Sequence, residues 1–221
     1  MTTIKFPNGR PCTSLEHVIL TNNADSNRTA LLVVDMQVGF LNPPGLFEAD
    51  RVLNVVASLI AHARMTGTPV FFTQFDGPPG HRAAEGSAGW QIHSQLSPNT
   101  DDVLIRKRES DSFHRSDLHE RLQAYRISRL VIAGCITELC VDTTCRRAIT
   151  LGYHVLLVGD GHTTVDATPN GLPEPEKRIR MTNHVLASLR SENCLIEVVT
   201  ASHIVGMARC DVPITNATSM E

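Results

Sequence analysis

The sequence has no excess of basic residues and no long apolar run. Twenty Lys and Arg residues stand against 23 Asp and Glu residues in a chain of 221, which gives a formal net charge of −3. Nucleic-acid-binding domains usually carry a clear basic excess, and a transmembrane helix needs roughly 20 consecutive apolar residues. We therefore expect a protein that binds neither nucleic acid nor membrane.

The sequence also lacks the features of a secreted or zinc-bound protein. Its N-terminal segment, MTTIKFPNGRPCTSLEH, contains no apolar core of a secretory signal. Six cysteines are few for this length, and three of them have the spacing C-x4-C-x4-C, which is not that of a zinc ribbon. We expect reduced thiols and a cytoplasmic location.

Short apolar runs rich in β-branched residues alternate with longer stretches of helical periodicity. The runs predict six strands, over 30–34, 70–73, 103–105, 130–133, 155–158 and 195–199. The stretches between them predict helices over 49–64, from Ser116 onward, over 138–151 and over 176–190. Continuously apolar strands separated by helices indicate a sheet covered on both faces. The predicted fold is a three-layer α/β/α sandwich with a six-stranded parallel sheet.

Neither an internal repeat nor a break in composition divides the chain. A single domain is expected over 28–205, with polar extensions over 1–27 and 206–221. Residues 74–99 are rich in Gly, Pro and small polar residues, which indicates loops and a short helix around Trp90. Loops of this length are often functional.

Three reactive side chains follow three different strands of the predicted sheet. Asp35 ends the first strand, Lys107 follows the third, and Cys140 opens the helix after the fourth. Individually, the carboxylate could cap a helix, the lysine could be solvated and the cysteine could be a small core residue. Ligands of open parallel sheets bind beyond the carboxyl ends of the strands, so their convergence on one edge favours a functional site.

Cys140 is the best candidate nucleophile among the cysteines. Thr137 is a suitable N-cap, which would place Cys140 in the first helical turn, where free amides and the helix dipole lower the pKa of a thiol. Cys135 precedes that turn and Cys145 lies deeper in the helix, where we expect it to serve packing. Asp35 could accept the thiol proton, and Lys107 could hold Asp35 ionised.

The segments around these residues resemble the isochorismatase-like cysteine hydrolases. They are LLVVDMQVGF, RKRESDSF and VIAGCITELCVDTTCRRAITLGYHV, within a resemblance that covers about residues 28–200. The family includes nicotinamidases, N-carbamoylsarcosine amidohydrolase, ureidoacrylate and biuret amidohydrolases, and isochorismatase. The spacing GxxTxxCV around Cys140 is specific to this group.

The resemblance implies a catalytic triad of Asp35, Lys107 and Cys140. Cys140 would attack a carbonyl carbon, Asp35 would move the proton to the leaving nitrogen, and water would hydrolyse the thioester. The resemblance also implies a cis peptide between Cys135 and Ile136, with the backbone amides of Ile136 and Cys140 forming the oxyanion hole. The expected reaction is cleavage of an amide, N-carbamoyl or ureide C–N bond in a small molecule.

The predicted substrate pocket is formed by the loop over 74–95 and nearby side chains. Its candidate residues are Gln37, Phe40, Gln74, Trp90 and Phe113. His81 or Arg82 could receive a substrate carboxylate, with a solvated loop as the alternative.

The metal-binding pattern of nicotinamidases is absent. Those relatives carry an Asp-x-His pair after the second strand, where this chain has Gln-Phe-Asp-Gly ending at Gly77. We therefore predict no metal and no other cofactor.

Other functions remain as alternatives at this point. An isochorismatase-type vinyl ether hydrolase would not need Cys140, and a catalytically silent oligomeric scaffold could share the fold. A nucleotide-binding module is disfavoured. The segment Gly159-Asp160-Gly161 lacks the third glycine of such a motif, since Thr164 stands in its place, and no helix is expected to start directly after it. By resemblance we expect a homo-oligomer, either a dimer or a tetramer.

Overall fold

The computed structural model describes residues 28–42 and 45–207. In these residues seven strands form one sheet: Arg28–Val34 (β1), Val70–Phe75 (β2), Val103–Lys107 (β3), Ile127–Cys135 (β4), His154–Thr163 (β5), Arg190–Ser191 (β6) and Cys194–Val199 (β7). Their order across the sheet is β3-β2-β1-β4-β5-β7-β6. All neighbouring strands run parallel except the β6–β7 pair, which is antiparallel.

Six α-helices are found in the described part of the chain. They are Val38–Leu41 (α1), Ala49–Met65 (α2), Leu118–Ala124 (α3), Asp142–Thr150 (α4), Pro175–Ala187 (α5) and Ala201–Met207 (α6). A π-helical turn, Thr137–Val141, leads directly into α4. Short 3₁₀ turns lie at Ala88–Trp90, Ser94–Leu96 and Thr168–Asn170. Among the described helices none is both long and apolar enough to cross a membrane.

The sheet is covered on both faces, as its apolar strands require. Along β1, Leu31 and Val33 join the core beneath α2 and α6, whereas Leu32 and Val34 join the core beneath α3, α4 and α5. Successive side chains of a strand point to opposite faces, so a strand buried on both sides must be apolar at every position.

The direction of chain progression reverses between β1 and β4. After β1 the chain adds β2 and β3 on one side, and it then crosses to place β4 on the other side. In parallel sheets this switch point opens a crevice at the carboxyl ends of the two strands. Asp35 directly follows β1, and the π-helical turn follows β4, so both lie at this crevice.

The predicted three-layer fold is confirmed, with one correction to the strand count. Each of the six predicted strands lies within an observed parallel strand. The seventh strand, β6, was not predicted, because it has two residues, Arg190 and Ser191, which pair with Leu195 and Cys194. Two residues are too few to produce a periodic pattern, and they begin where the predicted helix over 176–190 was expected to end.

The predicted domain boundary at residue 205 falls inside α6, which continues to Met207. The predicted extension over 1–27 lies outside the described residues, as does the predicted extension over 206–221 from its third residue onward. Cys12 and Cys210 lie in these two segments. The cysteines within the described part, Cys135, Cys140, Cys145 and Cys194, are buried free thiols.

Candidate active site

Asp35 is held at the end of β1 by a threonine of the neighbouring strand. Its backbone lies in the left-handed region, with φ of 47°, and its side chain is fully buried. The Asp35 amide donates to Oγ1 of Thr73 at 3.1 Å, and the Thr73 hydroxyl donates to Asp35 Oδ1 at 2.6 Å. Thr73, on β2, therefore fixes both the backbone and the carboxylate of Asp35. The sequence analysis missed this residue.

Lys107 ends β3 and reaches across β2 to Asp35. Its Nζ lies 2.7 Å from Asp35 Oδ2, and neither side chain is exposed to solvent. The contact is a buried ion pair whose Nζ–Oδ2 distance is that of a charge-assisted hydrogen bond. Nζ also donates to the carbonyl oxygen of Glu109 at 2.9 Å and lies 5.7 Å from the centre of the Phe75 ring.

Lys107 remains an ammonium despite its burial. Desolvation is the largest single effect and would lower its pKa, but the charge and hydrogen bonding of Asp35, together with the interaction with Cys140, outweigh it, and the pKa is raised. An uncompensated buried ammonium would be costly, so the partner carboxylate is what keeps this cation in the protein interior.

The loop after Lys107 is fastened to α4. The hydroxyl groups of Ser112 and Thr144 lie 2.8 Å apart, and the Ser112 amide donates to Thr144 Oγ1 at 3.3 Å. Both residues are fully buried. Because α4 continues the turn that carries Cys140, this contact ties the surroundings of Lys107 to those of Cys140.

The chain passes from β4 to Cys140 through an unusual backbone. Gly134 has φ of 138°, and a Cβ atom there would lie 2.1 Å from the carbonyl oxygen of Val34, so only glycine fits. The peptide bond between Cys135 and Ile136 is cis. In the following turn the amides of Leu139 and Val141 both donate to the Ile136 carbonyl.

Cys140 is buried beside Asp35 and Lys107, and its thiol is protonated. Burial, the largest effect, and the charge and hydrogen bonding of Asp35 raise its pKa to about 12, although Lys107 acts in the opposite direction. The lowered pKa expected from the helix start is therefore wrong. Cys140 is only 8% exposed, and the loss of hydration at this depth exceeds what one helical turn contributes.

Thr137 does not act as an N-cap, contrary to the sequence-based expectation. The cap position is Ile136, and no side chain caps the turn. Thr137 Oγ1 instead lies 2.9 Å from Nδ1 of His162, which is fully buried on β5. The sequence offered no signal for this pairing, since the two residues are 25 positions apart.

Cys135 and Cys145, the other two cysteines of the C-x4-C-x4-C segment, are poorer nucleophiles. The Cys135 thiol donates to the Asp35 carbonyl at 3.3 Å, and burial raises its pKa well above the usual value. Cys145 is fully buried in the core beneath α4, where burial raises its pKa. Its location agrees with the predicted packing role.

The predicted polar pocket residues, Gln37 and Gln74, bind backbone groups. Gln37 Nε2 donates to the carbonyl groups of Phe75, at 2.9 Å, and Trp90, at 2.8 Å, and its Oε1 accepts from the Phe75 amide. Gln74 Nε2 donates to the same Trp90 carbonyl at 2.9 Å. These amides hold the loop around Trp90 in place, and a contact with substrate stays a prediction.

Two of the predicted aromatic pocket residues, Phe40 and Phe113, belong to different core clusters, and their contact with substrate stays a prediction. Phe40 belongs to the core cluster that contains Cys135 and Ile136, whereas Phe113 belongs to the cluster on the other face, with Cys140. Phe113 stacks on Tyr153. His81 packs edge-on against Phe40, and the exposed guanidinium of Arg82 lies 5.6 Å from the centre of the Phe40 ring.

The carboxylate of Asp76, which follows β2, binds two side chains of the protein. Asp76 Oδ1 accepts from Arg106 Nε at 2.6 Å and from Trp90 Nε1 at 2.9 Å. The Arg106 guanidinium also stacks over the Trp90 ring at 4.5 Å. Within residues 28–42 and 45–207 no group of three or more His, Cys, Asp or Glu side chains is arranged to hold a metal ion. That the protein needs no metal stays a prediction.

An α/β/α sandwich with a buried aspartate, lysine and cysteine at its switch point defines an isochorismatase-like protein. The profile of the isochorismatase domain matches residues 29–172. The chain belongs to the isochorismatase family.

Several known proteins are similar to this chain. A streptothricin hydrolase of Streptomyces noursei is 38% identical over 138 residues, which cover 62% of this chain and 50% of that protein. This chain thus spans about half the length of that relative. The ureidoacrylate amidohydrolase RutB of Azorhizobium caulinodans is 27% identical, with 60% of this chain and 74% of that protein covered. The crystal structure of an isochorismatase from Pseudomonas putida KT2440 superposes with a TM-score of 0.73 at 26% identity, covering 81% of this chain and 92% of that one.

Proposed function

We propose that the protein is a cysteine hydrolase that cleaves the C–N bond of an amide, N-carbamoyl or ureide group in a small molecule. The observation that carries the proposal is the enclosed arrangement of a neutral Cys140 thiol against the Asp35–Lys107 ion pair. The similarity to proteins named streptothricin hydrolase and ureidoacrylate amidohydrolase supports a C–N bond as the target.

In the first step Asp35 acts as the general base for Cys140. With a thiol pKa of about 12, almost no thiolate exists at neutral pH, so attack must be coupled to proton transfer. The Cys140 sulfur forms a bond to the substrate carbonyl carbon while its proton passes to the Asp35 carboxylate. The proton has a short path, because Asp35 is close enough to Cys140 to act on it by charge and by hydrogen bonding.

The second and third steps return the proton. Protonated Asp35 transfers its proton to the leaving nitrogen as the C–N bond breaks, which releases ammonia or an amine and leaves a thioester on Cys140. Asp35 then takes a proton from water as the water oxygen attacks the thioester, and the proton returns to the Cys140 sulfur when the C–S bond breaks. The carboxylate and the thiol are thereby regenerated.

Lys107 stabilises the charge that moves between these groups. Its ammonium pairs with the Asp35 carboxylate before reaction, and it faces negative charge on sulfur or oxygen once Asp35 has accepted the thiol proton. The backbone amides of Ile136 and Cys140 would bind the oxyanion of the tetrahedral intermediate. The cis peptide at Cys135–Ile136 and the following turn support this role.

Release of ammonia or amine by the full chain tests the proposal. Carboxamides, N-carbamoyl amino acids and ureides would be screened with the wild type, Cys140→Ala and the matched control Cys145→Ala. We expect Cys140→Ala to lose roughly 1,000-fold or more of the rate, since the nucleophile is removed, and Cys145→Ala to stay active. Mass spectrometry should detect an acyl group on Cys140 during turnover.

Retention of the wild-type rate by Cys140→Ala would show that the proposed nucleophile is wrong. Hydrolysis of a vinyl ether by both the wild type and Cys140→Ala would favour the isochorismatase-type alternative. The expected dimer or tetramer would be tested separately by analytical ultracentrifugation of the full chain.

A further inference from the structure

A buried histidine lies beneath the turn that carries Cys140 and has no part in the proposed reaction. His162 is fully buried, and it pairs across the sheet with Gly134 of β4, just before the cis peptide. One ring nitrogen faces Thr137, the first residue of the turn, and the other faces Asn183 of α5. It therefore connects the turn to helix α5.

The motif Gly159-Asp160-Gly161 explains how His162 reaches this location. Strand β5 pairs Leu157 with Ile132 and then His162 with Gly134, so β5 contains extra residues between these two pairs. Such a bulge re-aims the side chain that follows it. A Cβ atom on Gly161 would lie 2.8 Å from a Val158 methyl carbon, so the bulge needs glycine there.

The contacts of Asn183 determine which nitrogen of His162 carries the proton. Asn183 Nδ2 donates to the Gly159 carbonyl at 3.3 Å, so its Oδ1 faces His162 and accepts from Nε2 at 2.9 Å. A neutral imidazole has one donor and one acceptor. Nδ1 is therefore the acceptor, and the Thr137 hydroxyl donates to it at 2.9 Å.

We propose that His162 is a positioning residue for Cys140, which accepts the hydrogen bond of Thr137 and thereby holds the turn Thr137–Val141 in its reactive geometry. The inference rests on the proposed function. No side chain caps this turn, so the contact with His162 replaces the usual anchor of a helix start. Glu138 adds a second anchor, because its carboxylate lies 2.9 Å from Arg178 of α5.

Protonation of His162 would break this contact. Nδ1 would then carry a hydrogen atom and could not accept from Thr137. The pKa of His162 is lowered from 6.5, and burial is the largest cause. The hydrogen bond to Asn183 and the carboxylates of Glu138 and Asp160 raise the pKa, and the charge of Arg51 lowers it, but these effects do not outweigh burial. The ring is therefore neutral at pH 7, and the contact is expected to fail only on the acid side.

Alkylation of Cys140 by iodoacetamide, followed by mass spectrometry, tests the proposal without a known substrate. Four variants form matched pairs: His162→Leu with His162→Asn, and Thr137→Val with Thr137→Ser. Asn presents an amide oxygen near the place of Nδ1 and Ser keeps the hydroxyl, whereas Leu and Val remove the contact. We expect the rate at pH 8 to fall about 10-fold in His162→Leu and Thr137→Val, since a small displacement of a reacting group is costly. The other two should stay within about 3-fold of the wild type.

The pH profile separates positioning from general loss of structure. Below pH 6.5 the wild-type rate should fall more steeply than thiol ionisation alone requires, and His162→Asn should lack this extra fall because asparagine does not titrate. Equal rates in Thr137→Val and the wild type would overturn the proposal. If the Thr137→Val and His162→Leu variants fail to fold, long-range ¹H–¹⁵N NMR spectra of the wild type test the proposal instead. A hydrogen atom on Nδ1 of His162 at pH 8 would contradict the proposal. None of these outcomes depends on whether Cys140→Ala retains hydrolysis.

Discussion

Two buried histidines lie towards opposite ends of the sheet and differ in the contacts of their ring nitrogens. His162, at the carboxyl end, has partners at both nitrogens, Thr137 and Asn183. His62, on α2, is 5% exposed, and neither of its nitrogens has a hydrogen-bond partner among the described residues. Burial lowers the pKa of both rings.

The surroundings of the two histidines differ in the same way. His62 lines a small cavity of about 20 Å³ whose other walls are Thr29, Leu31, Leu59, Ala63, Thr68, Val131 and Ile204. Near His162, buried polar groups are bound by partners from several elements, as Thr73 and Lys107 bind Asp35. Ordering so many polar side chains costs conformational entropy on folding, but their hydrogen bonds fix the positions of these side chains. At the carboxyl end of the sheet, around His162, polar side chains are thus held in fixed positions, as a reactive centre needs. At the opposite end, which we call the cavity end, the nitrogens of His62 are not held in this way.

Removal of Lys107 is the strongest test of this difference. Lys107→Met should lower the free energy of unfolding by about 3–5 kcal/mol, because it leaves the Asp35 charge buried and unpaired. Urea denaturation would measure the loss. Arg121→Met, which breaks the exposed pair with Asp117, is the control and should cost less than about 1 kcal/mol.

The double variant Asp35→Asn with Lys107→Met sharpens this result. It removes both charges, so it should regain much of the stability that Lys107→Met loses while hydrolysis stays lost. A single Lys107→Met variant as stable as the wild type would mean that the Asp35 charge is not enclosed, and the contrast between the two ends would fail.

Thr73 should give the next largest effect. Thr73→Val keeps the shape but leaves the Asp35 amide and Oδ1 without their partner, which should lower the free energy of unfolding by about 1–3 kcal/mol. The proposed hydrolysis should slow about 10-fold, since the base is no longer oriented. Thr73→Ser keeps the hydroxyl and should recover most of both losses. If valine and serine variants behave alike, the hydroxyl does not orient Asp35.

The sequence predicted those features that depend on local pattern. Apolar runs located six strands, and strand ends located Asp35, Lys107 and Cys140. Thr73 was missed because one threonine in a strand shows nothing of the carboxylate on the next strand, although a polar residue within VFFTQF was a signal. The pKa of Cys140 was predicted in the wrong direction, because it depends on depth of burial and on distance to Asp35, which only the packed structure defines.

Replacement of His62 should change the free energy of unfolding least, and it should raise this energy, whereas the replacements of Lys107 and Thr73 lower it. His62→Leu replaces two buried nitrogens that lack described partners with apolar atoms of similar volume, so the free energy of unfolding should rise by about 1 kcal/mol at pH 8. His162→Leu, the matched control, should lower it, because Thr137 and Asn183 lose their partner. Urea denaturation of both variants measures the difference.

The pH dependence of His62→Leu tests the cause of the gain. Because the pKa of His62 is lowered from 6.5 in the folded protein, the unfolded chain binds more protons below that pH, and the wild type loses stability as the pH falls. The leucine variant lacks this titration, so its advantage should be larger at pH 5 than at pH 8. A loss of stability in His62→Leu at both pH values would mean that the ring has a partner outside the described residues, and the cavity end would then be as well satisfied as the carboxyl end.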